Sequence, residues 1–115
     1  MIYLNDVCQE NGPFQYLEKS HKIRNIVRFN HVLKKNYSEK WFHNDEINLA
    51  SIKLNMKIRT ITASAGDLII FDGTGVHRGK PLLSGERFAL TNYYRFDPKE
   101  IFTFKNLNYD SKKNN

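Results

Sequence analysis

Apolar positions along this chain come in short runs, broken by glycine, proline and polar clusters. Ile2-Tyr3-Leu4 reads as a short strand, Asn11-Gly12-Pro13 as a turn, and Phe14-Gln15-Tyr16-Leu17 as the next strand. Lys57-Ile58-Arg59-Thr60-Ile61-Thr62 alternates polar and apolar, as a half-buried strand does. Leu68 to Phe71 is continuously apolar, the pattern of a strand covered on both faces. Val76 to Arg78 gives a brief strand. Arg87 to Phe96 gives the longest one, ended by Asp97-Pro98. One segment carries a helical signature, residues 44–54. There Asn44 suits an N-cap, Asp45 and Glu46 sit where the helix dipole favours carboxylates, and Ile47, Ala50 and Leu54 line one face. Residues 23–42 place Ile23, Ile26, Val27 and Phe29 at no clean period, so this stretch reads as an excursion between strands. Short strands, tight turns and one small helix predict an all-β, antiparallel sandwich or jelly roll.

Length limits this to one domain, since 115 residues leave no room for a second core. Residues 105–115 read as a polar, frayed tail. No apolar run approaches the roughly 18 residues of a membrane span, and the N-terminus lacks the basic and apolar regions of a signal peptide. The chain opens directly on a strand, which predicts that something precedes it in the natural protein. A lone cysteine, Cys8, cannot make an internal disulfide and fits a reducing compartment, most simply the cytoplasm. The net charge of +6 invites a nucleic-acid reading. The basic residues, however, are dispersed (Lys22, Arg24, Arg28, Lys34, Lys35, Lys40, Lys53, Lys57, Arg59), as on a solvated surface. Neither nucleic acid nor a membrane is therefore the expected partner. The field of the segment from Lys22 to Lys40 suits an anionic small molecule.

The stretch Gly66 to Gly79, followed by Gly85 to Tyr94, carries the candidate chemistry. Asp72-Gly73 and Thr74-Gly75 make a tight turn that aims His77 from the end of a strand, and Gly79 beside it permits close backbone approach. Strand alternation puts Arg87, Ala89, Thr91 and Tyr93 on one face. That face offers a guanidinium followed by small side chains, a shape suited to a small carboxylate, which arginine grips bidentately. Taken singly, each residue has a plainer reading: a histidine satisfied by a backbone partner, and a surface arginine paired with Glu86 or Asp97.

Together these segments resemble the phytanoyl-CoA dioxygenase-like family of iron(II)/2-oxoglutarate oxygenases. The resemblance covers most of the chain. Tyr3-Leu4-Asn5-Asp6-Val7, Glu10-Asn11-Gly12-Pro13-Phe14-Gln15 and Ser20-His21-Lys22 are similar to the family's run ending in a Pro-Gly-Ser-His-Lys loop. Trp41-Phe42-His43-Asn44-Asp45-Glu46-Ile47 is similar to its short helix start, and Ala65 to Tyr94 to its C-terminal metal and co-substrate module. The resemblance implies a double-stranded β-helix, with residues 1–104 as its C-terminal part. It implies that His77 is a ligand of Fe(II) and that Arg87 holds the far carboxylate of the co-substrate 2-oxoglutarate. The other partners would be O2 and a small-molecule substrate hydroxylated at an aliphatic carbon.

Two departures stand out. The family's His-x-Asp pair lies upstream of the strand matching Ile2-Tyr3-Leu4, so the chain is expected to supply only part of a 2-His-1-carboxylate triad and to be inactive alone. Lys19 stands where the family's loop has glycine. His43-Asn44-Asp45 does spell His-x-Asp, but it falls at a helix start, where residues i and i+2 point about 200° apart. Asp72, His21, His31 and Trp41 are weaker candidates. Two rival readings remain at this level. One is a non-catalytic jelly roll binding carbohydrate or protein through Tyr3, Tyr16, Trp41 and Tyr93. The other is a cupin-type isomerase in which Tyr93 or Asp72 works with His77.

Overall fold

In the computed structural model, described for residues 1–36, 39 and 41–94, two strands, two helices and three further strands follow one another along the chain. They are β1 (Ile2–Tyr3), β2 (Phe14–Leu17), α1 (Ile23–Leu33), α2 (Asn44–Leu54), β3 (Ile58–Ile61), β4 (His77–Gly79) and β5 (Ala89–Leu90). The strands make two antiparallel sheets, one of order β1-β5 and one of order β3-β2-β4. In the larger sheet β2 is central: Phe14 faces Ile61 on one side and Gly79 on the other, and Tyr16 faces Arg59 and His77. The fold is therefore β-rich and antiparallel, with two helices rather than the single one expected. No helix among the described residues is long and apolar enough to cross a membrane.

Helix α1 corrects the reading of residues 23–42 as an excursion between strands over its first part, Ile23–Leu33. Its buried residues are Phe29 and Asn30, with Ile26, Val32 and Leu33 half-buried beside them. Positions 26, 29, 30 and 33 are the i, i+3, i+4, i+7 stripe of an amphipathic helix. Ile23 and Val27 point outward and obscure that stripe. The helix ends on Lys34 in the left-handed region, whose N–H bonds the His31 carbonyl at 3.2 Å. Helix α2 spans the expected residues, but its N-cap is His43, one position before Asn44. The Glu46 carboxylate accepts the His43 N–H at 2.8 Å, which closes one of the donors a helix start leaves open. Lys35 ties the two helices together. Its ammonium donates to Glu46 at 2.8 Å and to the Trp41 carbonyl at 3.1 Å, and lies 5.2 Å from the centre of the Phe42 ring.

Two apolar clusters hold the chain. Leu17, Phe29, Ala50 and Met56 join the helices to the larger sheet, with Phe29 edge-on to Phe42 at 4.9 Å. Complete burial of side chains such as Leu17 and Phe29 stabilises by about 1.5–3 kcal/mol each. The second cluster, Tyr3, Val7, Phe14 and Ile69, joins the sheets to one another. The Tyr3 hydroxyl crosses it, accepting the Phe14 N–H at 2.8 Å and donating to the Ile61 carbonyl at 3.2 Å.

Two further expectations are corrected. Leu68 to Phe71 is not a strand covered on both faces. Only Ile69 is buried, Leu68 and Ile70 are 61% and 86% exposed, and the pairing is an isolated bridge from Leu68 to Ile2. The last strand is regular only over Ala89–Leu90. Its expected end at Phe96, the Asp97-Pro98 stop and the polar tail lie outside the described residues. Segment 66–69 and β5 flank β1 on both sides.

Candidate functional site

The approach to β4 is built by side chains that satisfy a turn. The Asp72 carboxylate accepts the Thr74 N–H at 2.9 Å and the Thr74 hydroxyl at 2.6 Å, and these bonds hold its carboxyl below the usual range. Ser20 sits beneath this turn at 1% exposure. Its hydroxyl accepts the Val76 N–H at 2.7 Å and donates to the Leu17 carbonyl at 2.6 Å. Gly75 is buried, and a side chain there would meet the Tyr16 hydroxyl and Ser20 Oγ. The Tyr16 hydroxyl donates to the Asp72 carbonyl at 3.1 Å and lies 3.4 Å from His21 Nδ1. Burial first, and the Asp72 charge second, push its pKa up. Lys19 adopts φ 62°, the left-handed region that glycine takes without strain, and its carbonyl accepts Asn25 Nδ2 at 2.9 Å. The loop thus closes without the family's glycine.

His77 opens β4. Its Nδ1 lies 2.7 Å from the Gly75 carbonyl. A carbonyl only accepts, so the proton sits on Nδ1 and the neutral ring presents the Nε2 lone pair. The ring rests on two aromatics, with centroids 5.1 Å from Phe71 and 5.7 Å from Phe14. Those two rings also line a cavity of about 210 Å³. Arg87, Ala89, Thr91 and Tyr93 line it from the other strand, in the order alternation demands. The Arg87 guanidinium lies across Gly79 on β4, and Nη1 donates to the Lys80 carbonyl at 3.3 Å. The Arg87 guanidinium thus lines the cavity; His77 is not among the lining residues, and its ring packs against Phe14 and Phe71, which are.

The opposite face of the larger sheet carries a polar ladder that the sequence reading missed. Arg78 Nε donates to Gln15 Oε1 at 2.8 Å, Gln15 Nε2 donates to Thr60 Oγ1 at 2.9 Å, and Arg78 also reaches the Asn44 side-chain oxygen. Alternation was the available signal, since Arg78 and Gln15 must point away from the face of His77 and Phe14. Of the other sequence candidates, Tyr3 and Tyr93 line the cavity, and His43, Asp45 and Trp41 do not. His43 caps α2, Asp45 is exposed, and Trp41 is 86% exposed. Tyr3 is fully buried and so offers no surface to a ligand outside the cavity. The hydrogen bond made by the His77 ring goes to Gly75, not to Tyr93 or Asp72 as a metal-free acid–base pair would need.

Among the described residues no three His, Cys, Asp or Glu side chains gather as a metal site would require. His77 fits an iron ligand singly, through Nε2, but the described residues do not close a triad around it. The family model for phytanoyl-CoA dioxygenase (PhyH) matches residues 1–89, a stretch that contains both His77 and Arg87. The chain belongs to the PhyH family. No curated protein and no solved structure matches it. PhyH members are in general dioxygenases that use Fe(II) and 2-oxoglutarate, so the parentage of this PhyH chain is enzymatic.

Proposed function

We propose that this PhyH chain forms the C-terminal part of a double-stranded β-helix oxygenase, in which Arg87 anchors the far carboxylate of 2-oxoglutarate and His77 gives one ligand to Fe(II). The observation carrying this reading is the placement of Arg87 in an aromatic-walled cavity whose wall also supports the His77 ring. When bound, the iron would supply the activation of O2 that hydroxylates an aliphatic carbon of a small molecule. The protein's own part is binding and orientation. The Arg87 fork pairs a carboxylate, the rings of Tyr3, Phe14 and Phe71 exclude water beside it, and the Gly75 carbonyl fixes which imidazole nitrogen faces outward. The remaining iron ligands come from outside the described residues. The exposed, unbridged Cys8 suits a reducing compartment such as the cytoplasm.

The test is calorimetric titration with 2-oxoglutarate. Arg87→Ala should weaken binding roughly 10- to 100-fold, the range of a lost charge-assisted hydrogen bond. Equal affinity in the variant and the parent would refute the anchoring role. The chain alone should not decarboxylate 2-oxoglutarate with added iron. Iron-dependent turnover that His77→Ala abolishes would show that the ligand set is complete within these residues, against the proposal.

A further inference from the structure

Arg87 lies against β4 because β4 has no side chain where it passes. A Cβ built on Gly79 would stand 2.6 Å from Nη2 and 3.0 Å from both Cζ and Nη1. Three guanidinium atoms at nearly one distance mean that the planar group lies flat on the strand. On the other side Gly12, with φ 69°, brings its own missing Cβ to 3.0 Å from Nη1. The Lys80 carbonyl holds the same nitrogen at 3.3 Å. Two glycines and one carbonyl therefore seat the guanidinium as deep as the backbone permits.

Resting on the reading of Arg87 as a carboxylate anchor, we infer that Gly79 sets the length of acid the cavity takes. A methyl group at position 79 must move the guanidinium off β4. The edge at Gly12 and Lys80 is closed, so the open direction is the cavity that Gly79 and Arg87 share. Reaching ordinary contact from 2.6 Å requires a shift of about 1 Å. That is close to one carbon of an acyl chain, whose C–C bonds are ~1.5 Å. The pocket shortens by about one carbon. The two glycines differ in what they tolerate. Gly79 has no left-handed φ, and the group it displaces is the free end of a flexible side chain, so Gly79→Ala keeps the fold. Gly12 needs its positive φ, and a side chain there would strike the Lys80 backbone oxygen, so Gly12 supports the seat but cannot be varied to probe it.

The experiment is a calorimetric titration of the parent chain, Gly79→Ala, Arg87→Lys and Arg87→Ala with oxaloacetate, 2-oxoglutarate and 2-oxoadipate, which differ by one carbon each. The readout is the ratio of affinities, which cancels any common loss. Gly79→Ala should move the preference toward oxaloacetate by at least roughly tenfold, the usual worth of one methylene in a fitted pocket. Its thermal melt should stay that of the parent. Arg87→Lys, with a slimmer head, should move the preference toward 2-oxoadipate and gives an independent arm. Unchanged ratios in both variants would overturn the length gauge while leaving the anchor intact. Parent-like binding by Arg87→Ala would overturn the anchor itself.

Discussion

Ser20→Ala removes one oxygen from beneath the turn that leads to His77, and its cost can be worked from the bonds that oxygen makes. The hydroxyl accepts the Val76 N–H and donates to the Leu17 carbonyl at 1% exposure. Two net hydrogen bonds are worth about 1 kcal/mol each. The Val76 N–H is also left without its partner. A single oxygen leaves a space below the roughly 10–15 Å³ that a replacing water needs, so a desolvation penalty of about 1–3 kcal/mol applies, toward its lower end for a part-buried donor. Allowing for relaxation, the loss is about 2–4 kcal/mol, a large part of the ~5–15 kcal/mol by which domains are stable. Urea unfolding reads it: with a slope of about 1–3 kcal/mol per molar, the midpoint should drop by roughly 1–3 M. Hydrogen exchange supplies the local check, because the Val76 amide should lose protection before its neighbours in β4. A midpoint unchanged within about 0.3 M, with Val76 still protected, would refute the assignment of Ser20 as the clasp of this turn.

Gly75→Ala places a methyl group against the Tyr16 hydroxyl and Ser20 and should cost about 1–3 kcal/mol by overpacking. Much of that cost should vanish in a Tyr16→Ala background, and a double-mutant coupling below ~0.5 kcal/mol would show that the two do not share this space. Acid stability gives a second measurement. Lys35 first, then the His43 N–H, hold the Glu46 carboxyl below its ordinary 4.5. A depressed folded pKa contributes stability that is present above the ordinary value and disappears as pH falls through the lower folded one. The urea midpoint should therefore fall more in the parent than in Glu46→Gln between about pH 6 and pH 3. Equal falls would remove Glu46 from the account.

Where one face of an element met the core and the other met water, the sequence was legible. Strand β3 followed its alternation, and α2 matched residues 44–54 because its first-turn acids and its apolar face agreed. Helix α1 was hidden by Ile23 and Val27, which are apolar yet exposed, and by Asn30, which is polar yet buried. Burial there is decided by packing against Leu17 and Ala50, far away in sequence. Lys22 also gives α1 no side-chain cap, so no start signal was written. The run Leu68 to Phe71 misled in the opposite way, since composition cannot say that Leu68 and Ile70 lack a covering layer. For the site, alternation placed Arg87, Ala89, Thr91 and Tyr93 on one wall. The Ser20 clasp and the Arg78 ladder depend on contacts spanning 34 to 63 residues, which no local pattern encodes.

Strand β2 is only four residues long, yet both of its faces are committed. Phe14 and Tyr16 face the aromatic wall, while Gln15 joins Thr60 to Arg78. A slip of one residue against either neighbour would carry an amide into the aromatic wall and a phenyl ring onto the ladder, penalising both sides at once. The error is thus forbidden twice over. A sheet this small would ordinarily breathe between alignments, but here the polar rungs act as a ratchet stop for the aromatic side, and the imidazole on β4 inherits its position from them.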